Sequence, residues 1–96
     1  GGGRTTRLAN MAPEEKTLAK MRSILEKDKK TQQRQAGGEL THTLTQAMKE
    51  AQAAWKGPVC VQLADLAEEV YGYVGWGNGD RKRERKALIQ AIRERA

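Results

Sequence analysis

The sequence has little of what stabilises or anchors many small proteins. It contains one cysteine, Cys60, which excludes an intramolecular disulfide and a cysteine zinc site. It has no phenylalanine, and only 38% of its 96 residues are hydrophobic, so the core must be small. No apolar run approaches the roughly 20 residues of a membrane span, and no signal-peptide core is present. These absences predict one small domain without a membrane segment, located in the cytoplasm or, in a eukaryote, in the nucleus.

Positive charge is abundant and lies at both ends of the chain. The formal net charge is +6. Residues 1–36 carry nine Lys and Arg against four acidic residues, residues 37–72 carry two against five, and residues 73–96 carry seven against three. Such a chain attracts DNA, RNA, acidic proteins or anionic lipid. The alternative requires no ligand: the Lys and Arg side chains only keep the exposed faces of the helices hydrated.

The first half of the chain predicts a flexible tail followed by a helix. Residues 1–10 show no hydrophobic period and are expected to be flexible, ahead of a single domain over residues 11–96. Pro13 suits the first turn of a helix over residues 13–35. The apolar stripe of this helix stops before residue 30, so we expect it to dock on the domain or to form a homodimer through residues 13–30. The stripe consists of Leu18, Met21, Ile24 and Leu25.

The second half predicts three further helices and one short extended segment. Apolar residues recur at helical spacing over residues 39–56 and 63–71, with the Gly57-Pro58 break between them. Residues 59–61 are Val-Cys-Val, which favours a short β segment. A glycine-rich loop over residues 72–79 then precedes the last helix. The fold class predicted is an all-α bundle of about four helices, with room for one short β segment at 59–61.

The last helix is the most informative part of the sequence. Asp80 is a suitable N-cap, and seven basic residues follow it. At about 100° per residue, Leu88, Ile89 and Ile92 fall on one side of the helix. The opposite side holds Lys82, Arg83, Lys86, Gln90 and Arg93. Such a helix can pack on its own domain with one face and present cations to a polyanion with the other.

The order of elements over residues 39–96 resembles a helix-turn-helix domain of the winged-helix type. The segment Leu-Ala-Asp-Leu-Ala-Glu-Glu-Val-Tyr-Gly at 63–72 matches the usual second helix, and residues 83–92 look like the recognition helix. The predicted eight-residue loop is longer than the usual three or four. The β-hairpin wing is missing up to Ala96, so it either lies beyond this residue or does not exist. The resemblance implies base or groove contacts from one set of side chains, Lys82, Arg83, Lys86 and Gln90. It implies phosphate contacts from Arg81 and Arg93.

The sequence gives little support for nucleotide binding, catalysis or metal binding. The glycines before the last helix match neither the P-loop nor the dinucleotide-binding fingerprint. Tyr73 and Trp76 could stack on single-stranded bases, but we expect Trp76 to fold back on the core. His42 has neither a partner for a catalytic triad nor enough companions for a zinc site. We therefore predict no enzyme activity, no metal and no cofactor.

The sequence as a whole predicts a nucleic-acid-binding module. It begins with three glycines and stops at Ala96 within a helical pattern, which indicates a fragment of a larger protein. Duplex DNA is the expected ligand, within a regulator, replication or mobile-element protein. The alternatives are an RNA-binding module and a helical protein-interaction or dimerisation domain whose basic ends bind an acidic partner.

Overall fold

A computed structural model of the protein describes residues 12–96, which form four α-helices and contain no β-strand. The helices are α1 (Pro13–Thr31), α2 (Gly37–Ala54), α3 (Pro58–Val74) and α4 (Gly79–Arg93). The predicted all-α bundle of about four helices is therefore confirmed. The flexible tail predicted over residues 1–10 lies outside the described residues.

The ends of α1 and α2 follow from local backbone chemistry. Helix α1 begins with Pro13 and stops short of the predicted residue 35, because Gln32 adopts a left-handed conformation with φ of 58°. Helix α2 ends at Ala54, and the N–H of Trp55 donates the last helical hydrogen bond to Ala51. Gly57, with φ of 84°, then turns the chain into α3.

Helix α3 is longer at both ends than the sequence pattern predicted. The extended segment predicted at 59–61 is wrong, because α3 begins at Pro58 and includes these residues. Cys60 is fully buried, so packing on the core overrides the β preference of its valine neighbours. At the other end the helix passes through Gly72 and stops at Val74, and the loop shrinks from eight residues to four, Gly75–Asn78.

Helix α4 begins two residues earlier than predicted and ends three residues earlier. Its N-cap is Asn78 rather than Asp80, and no side chain caps the first turn. Asp80 lies within that turn, where its carboxylate still complements the positive end of the helix. The helix ends at Arg93 rather than continuing to Ala96.

One hydrophobic core holds the four helices together. Helices α2 and α3 form its centre, since each contacts all three other helices, whereas α1 and α4 pack on this central pair. The apolar stripe of α1 is buried in this core, so α1 docks on its own domain. Eight apolar residues between positions 44 and 92 also belong to this core, with Leu88 partly buried and the others buried. They are Leu44, Met48, Trp55, Leu63, Leu66, Val70, Leu88 and Ile92.

Candidate nucleic-acid interface

Helix α4 lies at an edge of the bundle, with its C-terminal half embedded and its N-terminal half exposed. Ile89 and Ile92 are buried in the core, and Leu88 packs partly against it. Residues 79–84 are all exposed. The second half of the helix therefore anchors it, and the first half presents its side chains to solvent.

The seven basic residues after Asp80 divide into two groups in the structure. Three of them bind other parts of the domain, and these are Arg85, Arg93 and Arg95. The other four are exposed, and these are Arg81, Lys82, Arg83 and Lys86. Sequence alone did not separate the two groups.

Arg85 fixes the exposed half of α4 to the loop before it. Its guanidinium carbon lies 4.3 Å from the centre of the Tyr71 ring. Its Nη1 donates to the carbonyl oxygens of Gly75 and Trp76 at 3.3 and 3.0 Å. We assigned Arg85 no role from sequence, although it continues the helical stripe of Leu88 and Ile92 at i, i+3 and i+7.

Arg93 joins α4 to α3 rather than facing outward. It donates to Asp65 at 2.8 Å and to Glu68 at 2.9 Å, and its side chain is only 29% exposed. The hydrogen bond to Asp65, followed by the charge of Glu68, raises the pKa of Arg93 above its ordinary value despite partial desolvation. The expectation that Arg93 shares the outward face is therefore wrong. Its guanidinium instead lies against two carboxylates of α3.

Arg95 closes the other end of α4. Its Nε donates to the carbonyl oxygen of Trp55 at 2.8 Å, and its own carbonyl accepts from the N–H of Gly57 at 3.1 Å. The residues just after α4 are thus bound to the turn between α2 and α3. Arg85 near the middle of α4 and Arg95 just after it thus tie the helix to the loops on both sides.

The exposed cations of α4 have few partners of opposite charge. Arg83 lies 3.2 Å from Asp80, but these side chains are 82% and 87% exposed, so solvent screens the pair. Lys86 Nζ lies 5.3 Å from the centre of the Trp76 ring. Within residues 12–96, no carboxylate lies at ion-pair distance from Arg81, Lys82 or Lys86. These side chains are available to an external anion.

Gln90, also predicted to contact bases, sits one turn beyond Lys86. Its side chain is exposed, and its Nε2 lies 3.5 Å from Glu94 Oε2. A contact this long between exposed side chains is weak. The amide therefore remains accessible on the same helix as the cations.

The acidic residues of α3 are paired rather than simply solvated. Glu69 lies 3.3 Å from Lys29 of α1, while Asp65 and Glu68 bind Arg93. These carboxylates therefore serve the contacts of α3 with its neighbours on both sides. They do not neutralise the exposed cations of α4.

The two loop aromatics are part of the domain. Trp76 packs against Tyr71, with ring centres 5.3 Å apart and planes tilted by 43°, and lies partly buried against the core. The prediction that Trp76 folds back on the core is confirmed. Tyr73 is equally engaged, because its hydroxyl donates to Asp28 at 2.7 Å.

Asp28 is a buried polar residue that sequence reasoning missed. It is 6% exposed, and besides Tyr73 it accepts hydrogen bonds from the backbone N–H groups of Gln35 and Ala36. The Tyr73 hydroxyl, then these backbone donors, lower the pKa of Asp28 against the effect of burial. Arg34 lies over the Tyr73 ring at 4.7 Å and donates to the Tyr73 carbonyl at 2.8 Å. Asp28 follows Leu18, Met21 and Leu25 in helical register, which was the available signal.

The other side chains that could serve in catalysis or metal binding do not cluster within residues 12–96. His42 is exposed on α2. Among residues 12–96, no group of three or more His, Cys, Asp or Glu side chains could hold a metal ion. None of the four helices is both long enough and apolar enough to cross a membrane.

No protein-family model, curated protein or solved structure matches the chain.

Proposed function

We propose that this chain is a DNA-binding module of a regulator, replication or mobile-element protein, and that it binds duplex DNA through the exposed half of α4. One observation carries the proposal. The carboxylates of α3 pair with Arg93 and Lys29, whereas Lys82 and Lys86 have no ion-pair partner among residues 12–96. A surface whose cations lack internal partners gains most from a polyanion, because phosphates release their counterions when they are neutralised.

The proposed roles follow from the chemistry of each side chain. An α-helix fits the major groove of B-DNA, where Arg and Lys reach guanine and Gln reaches adenine. Lys82, Arg83 and Lys86 would contact guanine edges, and Gln90 would contact adenine. Arg81 would contact phosphate. Arg93 takes a different role from the one first expected, since its two ion pairs make it a positioning residue for α4.

The connection between α3 and α4 also supports a helix-turn-helix arrangement. Its four residues, Gly75–Asn78, fall within the three to four that are usual for the turn of this motif. The second helix of the pair, α4, lies at the edge of the bundle and is exposed over residues 79–84. The exposure of this first half supports the proposal that its cations contact DNA.

A titration of labelled duplex DNA at two salt concentrations tests the proposal. The test variant replaces Lys82, Arg83 and Lys86 with alanine. The matched control replaces three exposed lysines of α1, Lys16, Lys20 and Lys27, which removes the same charge elsewhere. Since each lost cationic contact costs about 1–3 kcal/mol, the test variant should bind on the order of 100-fold more weakly or worse. The control should stay much closer to the wild type.

Other results of these binding measurements would favour a different surface or a different function. Equal affinity of the two variants would remove α4 from DNA binding. Tighter binding to an RNA of matched sequence would favour the RNA-binding alternative. Binding to an acidic protein that barely responds to salt would favour the protein-interaction alternative, because phosphate binding falls steeply with salt.

A further inference from the structure

An open groove lies between the start of α2 and the start of α4. The loop after α3 forms its floor, through Gly75 and Gly77. Thr41 and His42 line it from α2, and Arg81 and Arg85 line it from α4. Arg81 belongs both to this groove and to the exposed cations of α4, so the two surfaces are continuous.

The lining of this groove contains no carboxylate. Three other concave surfaces of the described domain differ in this respect. The groove beside the end of α1 includes Asp28 and Glu39, a second on α1 includes Glu26, and the recess beside Trp76 includes Glu68. Only the groove beside the end of α1 holds more carboxylates than cations, since the other two linings also contain Arg22, Lys27 and Lys30 or Lys86 and Arg93. The groove between α2 and α4 differs from all three in offering cations with no carboxylate in its lining, which suits it to an anion.

The same surface extends toward the end of α1. Gly37 and Val74 line the groove and also line a smaller recess beside it, whose other walls are Arg34 and Tyr73. That recess likewise lacks a carboxylate in its lining. Arginines thus lie at both ends of a continuous concave track, Arg34 at one end and Arg81 with Arg85 at the other.

Two local features set the cations of the groove in place. Gly77 has φ of 82°, and a Cβ at this position would lie 2.8 Å from Arg81 Cδ, so the lack of a side chain lets Arg81 lie against the loop. Arg85 is held by the carbonyl oxygens of Gly75 and Trp76. The side chain of His42 is exposed and makes no hydrogen bond to other groups within residues 12–96, so it remains available to a ligand.

We infer that this groove binds the phosphodiester backbone of the duplex whose bases α4 contacts. The inference rests on the proposed function and adds α2 to the DNA-binding surface. Backbone contacts beside a base-reading helix fix its register on the duplex. His42, Thr41 and Arg81 would supply those contacts here.

Opposite charge changes at His42 test the groove directly. We compare His42→Lys and His42→Glu with Gln52→Lys and Gln52→Glu, using the full chain and labelled duplex DNA at several salt concentrations. Gln52 is also exposed on α2, ten residues or about 15 Å further along the helix. His42→Lys should steepen the dependence of log affinity on log salt by about one and tighten binding, and His42→Glu should weaken binding about fivefold or more. The Gln52 variants should stay within about twofold of the wild type, since they add the same charges away from the groove.

The outcomes separate this inference from the proposed function. If the alanine variant of Lys82, Arg83 and Lys86 loses binding but the His42 and Gln52 variants behave alike, the groove is not a DNA contact and the role of α4 stands. If the wild type binds no duplex DNA, both proposals are overturned. Partial unfolding cannot imitate the expected result, because it would weaken binding in both His42 variants. Circular dichroism of each variant checks that the helices are retained.

Discussion

The hydroxyl of Tyr73 donates a 2.7 Å hydrogen bond to Oδ2 of Asp28, joining two helix ends that are 45 residues apart in sequence. The other carboxylate oxygen accepts from the N–H groups of Gln35 and Ala36. One side chain therefore holds together the last turns of α1, the start of α2 and the end of α3. A buried carboxylate can occupy this position because several donors satisfy it.

The Asp28–Tyr73 pair should make stability depend on pH at both extremes. The pKa of Asp28 lies below its ordinary 3.8, chiefly because of the Tyr73 hydroxyl, and the same bond raises the pKa of Tyr73 above 10.0. The contribution of Asp28 is present above pH 3.8 and is lost as the pH falls further. That of Tyr73 is present below pH 10.0 and is lost as the pH rises further.

Tyr73→Phe tests this pair. We expect it to lower the free energy of unfolding by an amount that is constant near neutral pH and shrinks toward both extremes. Urea unfolding of wild type and variant across a pH series measures the difference. No difference at neutral pH would show that the ring, and not the hydroxyl, supplies the stabilisation, and a difference independent of pH would show that the bond to Asp28 is not its source.

Truncation of Trp55 should lower the free energy of unfolding more than truncation of any other aromatic residue. It is 4% exposed in the core, so Trp55→Ala should lower the free energy of unfolding by about 3–5 kcal/mol. Trp76, which is only partly buried, gives the comparison, and Trp76→Ala should cost less. Chemical denaturation of the two variants provides both values. A loss under about 1 kcal/mol for Trp55→Ala would place that residue outside the core, against its burial.

Arg93 should matter for stability and not for the salt dependence of DNA binding. Its guanidinium is bound by Asp65 and Glu68, so Arg93→Ala should lower the urea midpoint by loosening α4 from α3. Arg81→Ala should instead reduce the slope of log affinity against log salt by about one, with a smaller effect on stability. Unfolding and DNA titration of both variants, side by side, check the assignment. A slope change in Arg93→Ala equal to that in Arg81→Ala would restore Arg93 as a phosphate contact.

Gly72 offers a stabilising substitution. It lies inside α3, is exposed, and a Cβ there would meet no atom within 4 Å. Gly72→Ala should therefore raise the free energy of unfolding by about 0.5–1 kcal/mol, because alanine loses less backbone entropy in a helix. Gly75→Ala is the opposite case, since its φ of 105° disfavours any side chain. The midpoint temperature of thermal unfolding should rise for Gly72→Ala and fall for Gly75→Ala. A lower midpoint for Gly72→Ala would contradict the helical assignment of this residue.

Apolar periodicity predicted the four helices because each stripe is local in sequence. The same periodicity did not identify buried or anchored positions that carry a polar or only weakly apolar residue. Cys60, Asp28 and Arg85 all lie in register with buried residues, yet their burial or anchoring depends on partners that the spacing alone does not identify. The start of α4 was missed for a related reason. The loop turns through Gly75 and Gly77 at positive φ, and Gly79, also at positive φ, is the first residue of the helix, so Asn78, and not Asp80, precedes it.

The exposed cations were predicted only in part, for a different physical reason. Arg83 and Lys86 lie away from the apolar stripe, and a helical projection at about 100° per residue finds them. Lys82 projects close to Ile89 and is exposed because the first residues of α4, 79–84, all lie outside the core. Arg93 lies near the edge of that stripe, so its direction depends on what the neighbouring helix offers. Asp65 lies 28 residues earlier, and only the packing of α3 against α4 brings the two side chains together.

The attachment of α4 at both ends has an entropic consequence. Arg85 fixes its first half to the loop after α3, and Arg95 fixes the chain after it to the turn after α2. The backbone of α4 is thus ordered by folding itself, before any ligand arrives. A ligand that binds Lys82 or Arg83 would restrict only long side chains, at about 0.5–1.5 kcal/mol each, rather than a whole helical segment. Association should then show the heat-capacity change of a preformed surface, and not that of coupled folding and binding.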